Sequence, residues 1–426
     1  MNLTNVKTVY LQITRWLNYG LFLAFVALLP FPQLPLRYAF GAWLVSWLLE
    51  GRWLSKPKPL RQNKMFIPFA VFGLWFVWKA VSVMWAPDHS AWAWQMERYL
   101  AFALILPIGL WGVNGFYNWR TAGKVLIAGC LAAIPFYVLL ITVLYHHSEW
   151  VAVFDSGHNW MAHDNWWMCF ADNVSLFKHR LFLCSVEMFG VVLSLQMFRH
   201  RKWLMIILVL AMLSVVVLTG SRQSVLTCAA LAVAGVICAM PRRFRLRYGV
   251  GILLLGIAIG GGLLMLHPRM EQFDVTDIAE MRDISNEHNV RFNIWGVALQ
   301  QPSDYFWHGL GGGQSTPYML ERYKALHLDY YASKQLNCHN QYLEELIELG
   351  IFGLLLFMAA WVVLPVFAKK RGRKTALLLT TLFMLNMLTD CMFGRFCGIA
   401  LWVAGMIFVL LQSYPEGEEQ TTGDAK

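Results

Sequence analysis

The chain has 426 residues, of which 58% are hydrophobic and only 14% are charged. Soluble domains carry about 25% charged residues, and a soluble chain this apolar would expose surface that it could not cover. The composition therefore excludes an ordinary soluble protein. The net charge of +10 does not indicate nucleic-acid binding, because most basic residues lie in short loops between apolar runs.

The apolar runs are long and continuous, so they predict an all-α polytopic membrane protein with about 12 transmembrane helices. Every second connection is basic, which places these connections and both termini in the cytoplasm. The predicted helices are, in chain order, Leu17–Leu29, Leu36–Leu49, Phe66–Met84, Tyr99–Val113, Val125–Leu144, Leu181–Phe198, Trp203–Leu218, Val225–Met240, Val250–Leu266, Leu349–Phe367, Thr375–Leu388 and Phe396–Leu411.

These helices divide the chain into four predicted parts. Residues 1–266 contain helices 1–9 and an outer loop at 146–180. Residues 267–340 form a long outer loop with short helices, residues 341–412 contain helices 10–12, and residues 413–426 form a cytoplasmic tail. Most histidines fall on the outer side, where ATP is absent. The loop at 146–180 is rich in tryptophan, which suits either the membrane interface or stacking on sugar rings.

A Gly-Ser-Arg-Gln-Ser segment joins predicted helices 7 and 8 at the outer face. Ser221 suits the N-cap of helix 8, which puts Arg222 in the first turn. An arginine near the positive end of a helix dipole is favourable only if an anion joins it, and the guanidinium fork matches phosphate oxygens. The pattern predicts phosphate binding by Ser221 and Arg222; the alternative is an arginine that reaches lipid headgroups.

Two further segments of the long outer loop contain candidate residues. Arg291 begins a predicted amphipathic helix over Arg291–Gln300, where it is either a second anion ligand or an ordinary surface residue. The segment Gly309–Gly313 lacks the Lys-Ser or Lys-Thr pair of a nucleotide-binding loop. We interpret it as a turn that lets the backbone approach a ligand.

The most informative segment lies where the long outer loop enters predicted helix 10. Asn340 suits an N-cap, and Glu344 and Glu345 suit the first turns of a helix. We also predict that Asn340 contributes to substrate binding. His339 precedes this cap, and a neutral imidazole can act as a general base on a hydroxyl group. The alternative interpretation is a histidine that caps the helix or makes an interfacial hydrogen bond.

Several other polar residues lie near the outer ends of the predicted helices. Lys79 is close to the outer end of helix 3, where it could reach an anionic headgroup, and His179 and Arg180 enter helix 6 from outside. We predict that all three contribute to substrate binding. Asp390 and Arg395 bracket the last outer turn, where we expect them to pair. The spacing of the outer histidines and aspartates matches no helix-borne metal-ligand pair, so we expect no metal and no cofactor.

Taken together, these segments resemble the O-antigen ligase family, which also includes O-antigen polymerases and bacterial protein O-oligosaccharyltransferases. The similarity covers most of the chain from about Phe177, and it depends on the order of short motifs. The matching motifs are Gly220-Ser221-Arg222 at a helix start, Arg291-Phe292-Asn293-Ile294-Trp295 before Gly309-Leu310-Gly311, and His339-Asn340 before Glu348-Leu349-Gly350-Ile351-Phe352-Gly353.

The resemblance implies an enzyme of the bacterial inner membrane whose active site faces the periplasm. Such a ligase moves a glycan from undecaprenyl diphosphate to a sugar hydroxyl of lipid A–core, without a metal and with inversion. By this analogy His339 is the base, and Arg222 and Arg291 stabilise the diphosphate leaving group. Two membrane-bound substrates would also explain a site at helix ends.

Three alternatives remain open at this stage. A polymerase or a protein O-oligosaccharyltransferase would use the same donor with a different acceptor. A transporter, from a different functional class, would require broken helices and charges near the middle of the membrane. The sequence predicts neither the sugar nor the oligomeric state.

Overall fold

The structure is a computed structural model that describes residues 3–55, 64–146, 170, 174–239, 248, 251, 254–255, 258 and 290–413. Within these ranges all regular structure is helical, which confirms the predicted all-α class. Predicted helix Val250–Leu266, residues 267–289, the tail 414–426 and most of the loop 146–180 lie wholly or largely outside these ranges. The long described helices end within a few residues of their predicted bounds, but three of them begin well before their predicted starts, at Leu3 rather than Leu17, at His89 rather than Tyr99 and at Gln341 rather than Leu349.

Five described segments are long and apolar enough to cross a membrane, in agreement with a multi-pass membrane protein. The complete set of about 12 spans stays a prediction. The five segments are Phe66–Met84, Trp119–Val143, Arg180–Met197, Gln341–Phe367 and Phe396–Ser413.

Fourteen of the described α-helices are labelled here in chain order. The first eight are α1 (Leu3–Ala27), α2 (Gln33–Leu49), α3 (Phe66–Val81), α4 (His89–Trp111), α5 (Trp119–His146), α6 (Arg180–Met197), α7 (Lys202–Leu218) and α8 (Arg222–Ala239). The remaining six are α9 (Val290–Ala298), α10 (Ser315–Ala325), α11 (Asp329–Ser333), α12 (Gln341–Phe367), α13 (Lys370–Asn386) and α14 (Phe396–Ser413).

The chain divides into two compact units. The first comprises Met1–Arg52, Asn114–His267 and Pro415–Lys426. In this unit α1 packs against α2 and α5, and α6 packs against α5 and α7. The Tyr117 hydroxyl donates to Asn18 Oδ1 and accepts from Trp43 Nε1, each at 2.7 Å. Buried hydrogen bonds of this kind stabilise helix packing in a membrane, because the hydrophobic effect does not drive helices together in lipid.

The second unit comprises Trp53–Val113 and Pro268–Tyr414. Here α3 packs against α12 and α4, and α13 lies against both α12 and α14. Large aromatic side chains fill the centre of the unit. The Phe102 and Trp402 ring centroids are 4.5 Å apart, and those of Trp75 and Phe357 are 5.2 Å apart. This aromatic packing fixes the positions of α3, α12 and α14, which lead into the site described below.

The helix α12 is interrupted at Gly350, which has φ 67° and ψ −171°. The break leaves carbonyl groups of the preceding turn without intrahelical partners. The carbonyls of Ile347 and Glu348 instead accept hydrogen bonds from the backbone N–H groups of Leu310 and Gly311, both at 2.8 Å. A break within a membrane helix is tolerated because the freed groups are paired with protein.

The glycine-rich segment Gly309–Gly313 makes a packing contact that the sequence did not predict. Its backbone approaches helices of the same unit. A Cβ atom at Gly309 would lie 2.3 Å from the Glu348 carbonyl, and one at Gly311 would lie 2.6 Å from the Ala86 side chain. Both glycines have positive φ, which a larger residue adopts only with strain. The segment forms a close backbone contact with α12.

The apolar run of predicted helix 10 starts at Leu349, but the helix itself begins at Gln341, directly after the predicted Asn340 cap. The reason is that its first two turns carry the carboxylates Glu344, Glu345 and Glu348, which interrupt the apolar run. In the structure all three side chains are buried within the second unit. A hydropathy pattern alone does not identify such a start, because it counts these carboxylates as polar. In the fold, Glu345 and Glu348 form ion pairs with Lys79, which is distant in sequence.

Candidate functional site

His339 lies directly before the N-terminus of α12, and the local sequence holds it in an unusual backbone conformation. Its φ is +43°, in the left-handed region that a non-glycine residue seldom adopts. The Asn337 side chain accepts the His339 backbone N–H at 3.1 Å. Asn340 caps α12 by accepting the N–H groups of Tyr342 and Leu343, as predicted. The cap is thus made by Asn340, so the His339 ring is available for another contact.

That contact is with Asp390, in the turn between α13 and α14. His339 Nδ1 lies 3.9 Å from Asp390 Oδ1, an ion-pair distance that is longer than a hydrogen bond. The His339 side chain is 29% exposed, and the Asp390 side chain is 8% exposed. A partly accessible imidazole therefore faces a nearly buried carboxylate, and a shift of about 1 Å would bring the two groups to hydrogen-bond distance. The sequence did not indicate this pairing, because the two residues lie on different helix connections.

Two cysteines flank this pair, Cys338 beside His339 and Cys391 beside Asp390. Burial raises the pKa of both thiols, and the nearby Glu344 carboxylate adds to the effect. A thiol with a raised pKa stays protonated at neutral pH and is a poor nucleophile. Neither thiol is therefore a good candidate for a nucleophile.

Lys79 is placed differently from the expectation of a headgroup contact. Its Nζ lies 3.0 Å from Glu345 Oε1 and 2.8 Å from Glu348 Oε2, and all three side chains are fully buried. Gln95 Nε2 donates to Glu348, and the Ser315 hydroxyl donates to the same carboxylate at 3.0 Å. A cation this deep is stable because carboxylates compensate it. Sequence spacing did not indicate this pairing, since Lys79 and its partners belong to α3 and α12.

Arg291 is the second residue of α9, and its side chain is exposed. The predicted amphipathic helix is confirmed, with slightly shorter bounds. Asn293 Nδ2 donates to the Tyr331 hydroxyl at 2.9 Å, and Trp295 Nε1 donates to the Cys338 carbonyl at 3.1 Å. The α9 helix is therefore attached to the residue that precedes His339. Arg291, His339, Asn340 and Lys79 all belong to the second unit.

The remaining predicted site residues belong to the first unit. Ser221 is buried and precedes α8; its hydroxyl oxygen lies 3.4 Å from the Ser224 backbone nitrogen, in agreement with the predicted cap. Arg222 is the first residue of α8, and its side chain is exposed. His179 and Arg180 form the start of α6, where the His179 carbonyl accepts the Phe182 N–H at 3.0 Å. The arginines 180 and 222 both lie at helix N-termini, which favour anions.

The fold and these polar groups define a multi-pass helical membrane protein with a histidine–aspartate pair at the end of one spanning helix. Residues 207–358 match the family model described as O-antigen ligase, so this part of the chain is similar to the O-antigen ligase family. The match confirms the resemblance seen in the sequence motifs. Members of this family are glycosyltransferase-like enzymes that use lipid-linked glycans. No curated protein matches the chain.

Proposed function

We propose that the chain is an O-antigen ligase that transfers a glycan from undecaprenyl diphosphate to a sugar hydroxyl of lipid A–core. The reaction takes place at the periplasmic face of the bacterial inner membrane. The observation that supports it is the His339–Asp390 pair, whose histidine lies within the family match. A reaction outside the cytoplasm requires a pre-activated donor, and a lipid diphosphate is such a donor.

In this proposal the imidazole of His339 removes the proton of the acceptor hydroxyl. Because Nδ1 faces Asp390, the base is the other ring nitrogen, Nε2. The hydroxyl oxygen forms a bond to the anomeric carbon while the bond from that carbon to the diphosphate oxygen breaks. Undecaprenyl diphosphate leaves with the electron pair, and the configuration at the anomeric carbon inverts. Asp390 orients the ring and stabilises the imidazolium ion.

The leaving group carries the negative charge that develops in the transition state. We assign its stabilisation to the guanidinium groups of Arg222 and Arg291, both exposed near helix N-termini. Ser221, His179 and Arg180 provide further phosphate or headgroup contacts. Asn340 supports the site by capping α12, and Lys79 supports it through its buried carboxylates.

The first prediction concerns His339 itself. We expect His339→Ala to lower the transfer rate by roughly 10²- to 10⁴-fold, the usual contribution of a general base. The measurement is glycan transfer by purified protein in lipid vesicles that contain the lipid-linked donor and lipid A–core. His308→Ala is a matched control, since His308 is an exposed histidine of the same unit. Wild-type transfer by folded His339→Ala would remove the proposed base.

The same assay separates the ligase from the other candidates when two acceptors are offered together. Glycan attached to lipid A–core supports the ligase. Longer chains that stay on the lipid carrier would instead identify a polymerase. Movement of a labelled glycan across the vesicle membrane without transfer would identify a transporter.

A further inference from the structure

Gln341, the first residue of α12, contacts both ends of the turn that carries Asp390. Its backbone N–H donates to the carbonyl of Met387, which directly follows α13, at 2.9 Å. Its side-chain Oε1 accepts the backbone N–H of Phe393 at 2.9 Å. Asp390 lies between these two attachment points. The side chain of Gln341 is fully buried.

The orientation of the Gln341 amide is fixed from its other end. Its Nε2 donates to Glu345 Oε1 at 2.9 Å, and that carboxylate also receives Lys79 Nζ and Trp75 Nε1. Since a carboxylate accepts only and a backbone N–H donates only, one amide orientation alone satisfies both neighbours. The Gln341 side chain thus connects the buried Lys79–Glu345 pair to the turn at residues 387–393.

A second contact holds the same turn from α4. Arg98 Nη1 donates to the Gly394 carbonyl at 2.7 Å, and its guanidinium carbon lies 3.6 Å from the centre of the Trp94 ring. The turn is therefore restrained at Met387, Phe393 and Gly394. The 3.9 Å separation between His339 and Asp390 depends on where this turn lies.

We propose that Gln341 is a positioning residue, which holds the Asp390 turn against His339 so that the carboxylate can orient the imidazole. The inference rests on the proposed function, since it assigns Gln341 to the same reaction. Gln341 is two residues after His339 on the chain. One short segment therefore contains the proposed base and also the residue that positions Asp390. A positional error of 1 Å at a reacting group lowers a rate by up to roughly 100-fold.

The test is Gln341→Met, which keeps the length of the side chain and removes both amide hydrogen bonds. We expect kcat for transfer to lipid A–core to fall roughly tenfold or more while KM for both substrates stays unchanged. The double variant Gln341→Met/Asp390→Asn should be no slower than Asp390→Asn alone, because Gln341 acts through Asp390. Gln412→Met is the control, since it removes another buried glutamine, which accepts a hydrogen bond from Thr375.

A wild-type kcat for folded Gln341→Met would overturn the inference, and so would losses that multiply in the double variant. If Gln341→Met does not fold, Arg98→Met tests the same turn from α4, where a lower kcat at constant KM is expected and a wild-type kcat would count against the inference. Failure of the proposed function is a separate result: His339→Ala and Asp390→Asn would both then transfer glycan at the wild-type rate.

Discussion

At the scale of single residues, the backbone of His339 is informative. A non-glycine residue at φ +43° carries a conformational cost of about 1–3 kcal/mol, which the surrounding structure must compensate. The helix does not need this residue as a cap, because Asn340 already supplies the cap. The strained conformation instead leaves the imidazole beside Asp390 and partly accessible. Strain of this kind is expected where side-chain placement serves chemistry rather than stability.

The arginines allow a prediction at the same scale. We expect Arg222→Lys to lower the transfer rate roughly tenfold, because an ammonium group cannot form the two parallel hydrogen bonds that a guanidinium makes to a diphosphate. The measurement is the vesicle transfer assay at saturating acceptor. Arg201→Lys is the control, since Arg201 is exposed directly before α7 and has no part in the proposed site. An unchanged rate for Arg222→Lys would indicate that this arginine contacts lipid headgroups only.

At the scale of elements, the interrupted helix α12 depends on the glycines that pack against it. We expect Gly309→Ala to lower the free energy of unfolding by about 3 kcal/mol, because the added Cβ would meet the Glu348 backbone at 2.3 Å and φ is +73°. Thermal unfolding in detergent provides the measurement. The control is Gly296→Ala on α9, where a Cβ meets nothing within 4 Å and should stabilise the helix by about 0.5–1 kcal/mol. Equal effects of the two substitutions would contradict the close packing.

The sequence predicted elements well where their signals are local. Hydropathy located the long helices, and the short polar side chains of Ser221 and Asn340 identified the starts of α8 and α12. The partners of Lys79 and the pairing of His339 with Asp390 were not predicted. These contacts join residues on different helices, and their geometry depends on tertiary packing, which periodicity does not specify. His339 was identified from its helix start, whereas Asp390 required the fold.

At the scale of the whole molecule, charge placement predicts the orientation of the chain in the membrane. We expect a cysteine introduced as Ser303→Cys to react with a membrane-impermeant maleimide in spheroplasts. Arg201→Cys should react only after the membrane is permeabilised. Both positions are exposed, and among the described cysteines only Cys228 is not buried. The background therefore carries Cys228→Ala together with Cys169→Ala and Cys238→Ala, the two remaining cysteines of the sequence. The opposite labelling pattern would put the proposed site in the cytoplasm and exclude a lipid A–core acceptor.

The buried pairing of Lys79 has a consequence for biosynthesis. Ribosomes complete α3 long before α12, since Lys79 and Glu345 are 266 residues apart. During that interval an ammonium group enters the bilayer without its carboxylates, at a cost of about 2.5–3.5 kcal/mol if it is near the membrane centre. We therefore expect the nascent α3 to be less stable in lipid until α12 emerges. A chain that stops before α12 should be degraded rapidly, and premature termination would be recognised by membrane quality control rather than leaving a stable fragment.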